Sequence, residues 1–141
     1  MSWFRIEPEV AGGLGPNTEL DRSTHPPPVE RLHYVFDGWL GDDLLESFPA
    51  FIVTADAALR LEAADLSGFR LGDVEVDTSE TFDEVGANRE LPEFRRLEVT
   101  ARARDADFGL DDDNALVISD AALDVLRQGR LEHADIEAAY T

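Results

Sequence analysis

Residues 105–114, DADFGLDDDN, hold the densest group of side chains able to do chemistry, with carboxylates at Asp105, Asp107, Asp111, Asp112 and Asp113. Calcium is the first chemistry to consider. A twelve-residue EF-hand loop opening at Asp105 would need an oxygen ligand fifth, a glycine sixth and a glutamate twelfth, but the chain has Gly109, Leu110 and Leu116 there. The run therefore reads as a solvated turn, or as an acidic contact patch for arginine or lysine of a partner. A second cluster, Trp39-Leu40-Gly41-Asp42-Asp43, sets an indole beside two carboxylates at an expected turn, as interface anchors do.

Other catalytic arrangements fail on residue type or spacing. His25, His33 and His133 lack a second ligand at metal spacing, and His33 reads as structural. There is no cysteine, hence no thiolate nucleophile or disulfide, and no lysine, hence no P-loop or Schiff-base chemistry. Among the hydroxyls Ser47, Thr54, Ser79 and Ser119, Ser119 follows a strand and precedes a helix in superficial likeness to a nucleophile elbow. The glycines of that motif are missing, and helix capping explains the serine. Carboxylate pairs occur by chance among 31 acids, and GGLGPN carries neither phosphate-binding fingerprint. We expect no catalytic residue, no metal and no cofactor. The candidate contact residues are Trp39, Asp42, Asp43, Asp105, Asp107, Asp111, Asp112 and Asp113.

The elements that must position them show a near repeat: FIVTADAAL at 51–59 and LVISDAAL at 116–123, sixty-four positions apart. Each reads as a short buried strand, a hydroxyl cap (Thr54, Ser119) and a helix with an aspartate in its first turn. The first helix has an apolar stripe of Ala55, Leu59 and Ala63 with Ala58 and Leu66, ended by Ser67-Gly68. The second buries Ala122, Leu123, Leu126 and Val125 and is terminated by Gly129. LSGFRL at 66–71 and LEHADI at 131–136 continue the likeness. The units span about 50–76 and 115–139 and read as scaffold, either a duplicated half or two convergent solutions to one turn problem.

Around them, residues 1–30 form a lead-in with a strand at WFRIE, a turn at GGLGPN and a polyproline-like connector at HPPPV, 25–29. RLHYVF at 31–36 alternates as a strand, and GDDLLESF reads as a short helix stopped by Pro49. DVEVDTSETFDEV and RRLEVTARAR read as strands, with Leu97 and Val99 facing one way and Arg96, Glu98 and Thr100 the other, toward a wet face. The order predicts one α+β domain with a mixed, mostly antiparallel sheet and two similar strand-cap-helix units.

Composition bounds the partners. Twelve basic residues, all arginine, stand against 31 acidic ones, a net charge of −19 over 141 residues. Such a field repels phosphate backbones and anionic lipid, disfavouring direct nucleic-acid or membrane binding, and attracts a basic protein. A genome-wide compositional bias would produce the same charge. No apolar run is long enough to span a membrane and the N-terminus lacks a signal-peptide plan, so a cytoplasmic location is expected.

PAFIVTADAALRLEAADLSGFRLGDVEV and DADFGLDDDNALVISDAALDVLRQGRLEHADIEAAY resemble the bacterial immunity-type proteins found beside polymorphic toxins. In those proteins a strand ending in Ser or Thr leads to a helix and an L-x-G or L-x-H-A return. The likeness covers roughly residues 30–140, without the cysteine pairs of some related groups. It implies a cytoplasmic, non-catalytic protein that binds and blocks a cognate toxin, and it transfers no site residues, because the matching positions are scaffold. The leading expectation is therefore an acidic protein-binding protein, not an enzyme. A nucleic-acid mimic and a small carboxylate-dependent enzyme are the alternatives.

Overall fold

A computed structural model of the chain describes residues 2–21, 23, 28–85 and 90–140, so the connector expected at 25–29 lies outside the described residues up to position 27. The strands are β1 (Trp3–Glu7), β2 (Gly12–Leu14), β3 (Glu19–Leu20), β4 (Val29–Arg31), β5 (His33–Phe36), β6 (Leu44–Ser47) and β7 (Ala50–Thr54), then β8 (Phe69–Gly72), β9 (Glu75–Thr78), β10 (Phe94–Val99), β11 (Phe108–Leu110), β12 (Leu116–Ser119) and β13 (Asp135–Tyr140). The helices are α1 (Ala55–Ala63), α2 (Glu80–Val85) and α3 (Asp120–Leu126). The architecture is α+β, as the order of elements predicts.

Two antiparallel four-stranded sheets dominate, ordered β6-β7-β10-β8 and β11-β12-β1-β13. They correspond position by position. Phe94, Arg95, Arg96 and Leu97 of β10 stand opposite Thr54, Val53, Ile52 and Phe51; Trp3, Phe4, Arg5 and Ile6 of β1 stand opposite Ser119, Ile118, Val117 and Leu116. On the far side Leu97 faces Leu71, and Ile6 faces Ile136. The strand that completes the second sheet thus comes from the N-terminus, and WFRIE matches FRRLE in aromatic, arginine, aliphatic and glutamate. The two sheets also exchange strands, since β1 runs on to bridge Glu9 with Leu45 of β6, and β10 runs on to bridge Arg102 with Leu110 of β11.

The inner faces of both sheets and the two packed helices α1 and α3 enclose one core, to which Val53, Leu97, Phe108, Ile118, Leu61 and Leu126 all belong. A second cluster lies on the opposite face of β6-β7-β10, where Leu45, Ile52 and Phe94 meet Tyr34, Phe36 and Phe82. Here the sheet β2-β5-β9 and α2 cover a face that alternation in β10 marks as wet. Arg96 stays on that face, but beside a layer supplied by the chain itself. The corresponding face of the other sheet has no such layer among the described residues.

Four local expectations are corrected. GDDLLESF does not form a helix: Leu44 and Leu45 are both fully buried, one in each core, and only a strand sends adjacent side chains to opposite faces. The segment after β9 is not strand throughout, because Ser79 Oγ accepts from Phe82 N–H and opens α2. Helix α1 buries Ala57, Ala58 and Leu61, while Leu59 is 65% exposed, so the expected stripe is displaced. Gly129 lies beyond the C-cap Arg127 of α3, and a Cβ there would push aside the Asp43 carboxylate and the Arg60 guanidinium.

Candidate functional site

Both cap hydroxyls are committed to building. Thr54 Oγ1 accepts from Ala57 N–H at 3.2 Å and donates to Asp43 Oδ1 at 3.1 Å. Ser119 Oγ accepts from Ala122 N–H at 3.1 Å and donates to Asp107 Oδ1 at 2.7 Å. Each aspartate then clasps the segment that follows the other half's helix. Asp43 Oδ2 accepts from Arg130 N–H at 2.9 Å, and Asp107 Oδ2 from Ser67 N–H at 2.9 Å. The exchange is reciprocal, so the two halves lock one another. Burial alone would push the Asp107 carboxyl up, but the Ser67 N–H, the Ser119 hydroxyl and the Ser67 hydroxyl outweigh it and hold it below the usual carboxylate range. A hydroxyl that caps a helix and donates to a carboxylate which is itself held by a backbone N–H of the other half is positioned as scaffold.

The expected contact residues divide between scaffold and surface. Asp42 is 0% exposed, and its oxygens accept from Glu132 N–H and His133 N–H, so it holds the chain after α3 and presents nothing outward. Trp39 is half-buried, packs edge-on against Phe94 and donates Nε1–H to the Asp42 carbonyl. With Gly41, Asp43, Thr54, Asp56, Glu93 and Arg130 it lines a cleft of about 410 Å³, which Ser119 does not share. Asp111 shapes its own turn, Oδ1 accepting from Asp113 and Ala115 N–H. Asp105, Asp112 and Asp113 remain exposed. Arg102 approaches Asp112 at 3.5 Å with both side chains in solvent, a pairing worth little.

One group with the makings of a metal site joins His33, Glu75 and Asp77. Its hydrogen bonds decide how it is used. Asn17 N–H points at His33 Nδ1 at 3.2 Å, which places the ring proton on Nε2, donated to Asp77 Oδ2 at 2.7 Å. A cation on Nε2 would have to displace that proton while Nδ1 is also unprotonated. The Glu75 carboxylate already receives Asn17 Nδ2 at 3.1 Å and Arg31 at 3.2 Å. The group is a hydrogen-bonded joint tying the turn after β2 to β5 and β9.

A further group of charged residues lies where the sequence did not direct attention. On the outer face of β11-β12-β1-β13, Glu7 stands directly opposite Asp135 and Arg5 opposite Glu137. Together they line a trough of about 320 Å³. The acidic turn borders this face, with Asp111 Oδ2 lying 3.9 Å from Arg5 Nε. Glu7 also acts on its neighbour Glu46, whose carboxyl is pushed up first by burial and then by the Glu7 charge. The likeness of WFRIE to FRRLE is the signal that would have found this face, because it identifies β1 as the centre of a second sheet. Compared with protein-family models, curated proteins and solved structures, the chain matches none.

Proposed function

We propose that this protein is a non-catalytic acidic binding protein whose partner is a basic protein, in the manner of an immunity protein neutralising a basic toxin. The reading rests on the display of charge. On one face Glu7, Asp135 and Glu137 gather around Arg5, with Asp111 of the bordering turn 3.9 Å from the same guanidinium, so carboxylates outnumber the cation beside them, and the turn further exposes Asp112 and Asp113. Charge arranged in this way speeds encounter with a complementary surface and rejects other anions. The hydroxyls and buried carboxylates are meanwhile spent on caps and clasps, which leaves the exterior to do the binding.

Affinity capture from the native host, followed by titration with the purified captured protein at about 50 and 500 mM salt, tests this. The expected partner is basic, and its affinity falls about tenfold or more across that range as surface charge is screened. A partner of acidic or neutral character, or an affinity indifferent to salt, would refute it.

A further inference from the structure

We infer that the free edge of β13 takes an extended, arginine- or lysine-bearing segment of the partner as a fifth strand of its sheet; this rests on the proposal of a basic partner. The opposite edge of the sheet is already occupied. The segment after β10 bonds to β11, Leu110 N–H to the Ala101 carbonyl at 3.1 Å and Ala103 N–H to the Leu110 carbonyl at 2.9 Å. Among the described residues β13 pairs with β1 alone, and it is six residues long. A row of unpaired backbone groups of that length is a template for strand addition unless something blunts it.

Comparison of the two halves identifies the occupant. Glu98 of β10 faces Arg70 of β8, and the two form an ion pair at 2.7 Å. At the matching place in the other half, Glu7 faces Asp135. Two carboxylates directly opposite one another repel, so this half carries an acid where the other carries its cation. A strand laid along β13 would bring its own side chains beside Asp135 on the outer face, and a guanidinium there meets Asp135 with Glu7 and Glu137 close by. A second copy of this chain paired antiparallel about Ile136 would set Asp135 opposite Glu137, acid against acid. The matching edge, β8, has four residues and its charge is already paired. Trp3, half-buried at one end of the face, takes the position that Phe94 takes beneath the chain's own covering layer, an aromatic anchor ready for a partner's layer.

The test uses a capped octapeptide of alternating arginine and valine, and a second peptide with the same arginine count in which proline replaces alternate valines. Residue-resolved amide exchange is followed in the intact protein at about 150 mM salt. The first peptide alone should slow alternate β13 amides about tenfold or more, leaving β8 unchanged. Asp135→Arg, which supplies the cation that Arg70 supplies in the other half, should weaken this peptide about tenfold, and Asp135→Asn by less. Equal protection by the proline peptide, no slowing in β13, or unchanged affinity in both variants would overturn the inference. If the captured partner still binds Asp135→Arg with full, salt-sensitive affinity, the edge is refuted while the basic-partner reading stands.

Discussion

Replacing Asp43 by alanine should expose how strongly the halves depend on one another. Its carboxylate receives Thr54 Oγ1 at 3.1 Å, Arg60 at 3.0 Å and Arg130 N–H at 2.9 Å. Hydrogen bonds to a charged group contribute about 1.5–3 kcal/mol each when well shielded. Two reductions apply: Arg130 is at the surface, where water replaces the carboxylate, and the Arg60 side chain is 30% exposed against 15% for Asp43, so solvent screens part of the pair. Arg60 Nε is buried without a hydrogen bond, so the guanidinium loses its observed partner when the carboxylate goes. The net cost is about 3 kcal/mol. Asp107→Ala loses hydrogen bonds from Ser67 and Ser119 but no ion pair, and should cost about 2 kcal/mol. Urea unfolding followed by tryptophan fluorescence measures both, with Trp39 in the cleft beside Asp43 as reporter. Combining Asp43→Ala with Arg60→Ala should cost about 1 kcal/mol less than the sum of the singles. A single-mutant cost under about 1 kcal/mol at unchanged m-value, or strict additivity with Arg60→Ala, would refute the clasp.

Three further predictions test other parts of the scaffold. Asp107 is held below its ordinary value of 3.8, so its contribution is complete above that value and is lost as pH falls through the depressed folded value. Glu46 is raised above 4.5, so its ionised form opposes folding, and stability declines as pH rises through that window. Glu46→Gln should therefore be more stable than wild type at neutral pH and lose the advantage in acid, as urea midpoints across pH will show; a midpoint difference independent of pH would count against it. Leu61→Ala should cost about 3 kcal/mol, whereas Leu59→Ala should stay within about 0.5 kcal/mol, measured by thermal unfolding. Gly68 has φ +96° and its Cβ would meet the Phe108 carbonyl, so Gly68→Ala should lower the melting temperature more than Gly13→Ala, whose Cβ would meet open space.

The α+β class, the two capped helices and the returning strands were legible because capping and alternation are local chemistry. Thr54 and Ser119 cap as their types demand, and Leu66, Phe69 and Leu71 meet the core as Leu131, Ala134 and Ile136 do. The displaced stripe on α1 has a definite cause. Matching the identical letters DAAL sets the units sixty-four positions apart and aligns Leu59 with Leu123, but the strands and caps align at sixty-five, which pairs Leu59 with exposed Asp124 and Ala58 with buried Leu123. The extra residue lies in the turn between β11 and β12, where Asp111 pairs with Ala115 across three residues, against two between the paired Ser47 and Ala50 of β6 and β7. Helical charge rules suggested a helix at Asp42-Asp43, where tertiary burial of Leu44 and Leu45 on opposite faces required a strand. Asp42 was no more legible as a clasp: its hydrogen-bond partners, Glu132 and His133, lie about ninety residues away in sequence.

The symmetry of the scaffold locates the protein's individuality at the positions where the halves disagree. Both sheets place a glutamate after the arginine and aliphatic residue of their third strand, Glu98 in one and Glu7 in the other. One half answers with Arg70 and buries its outer face under β2-β5-β9; the other answers with Asp135 and has no such layer among the described residues. Symmetric positions experience the same backbone, so the fold does not require an acid at 135, since an arginine is accommodated at the equivalent place. Exchanging the two solutions, with Asp135→Arg in one chain and Arg70→Asp in another, separates stability from recognition. The first should stabilise modestly, by about 0.5 kcal/mol, by relieving a cross-strand repulsion, and should impair partner binding. The second should destabilise by a similar amount and leave binding intact. If Arg70→Asp abolished partner binding as thoroughly as Asp135→Arg, the asymmetry between the two sheets would no longer explain where the partner goes.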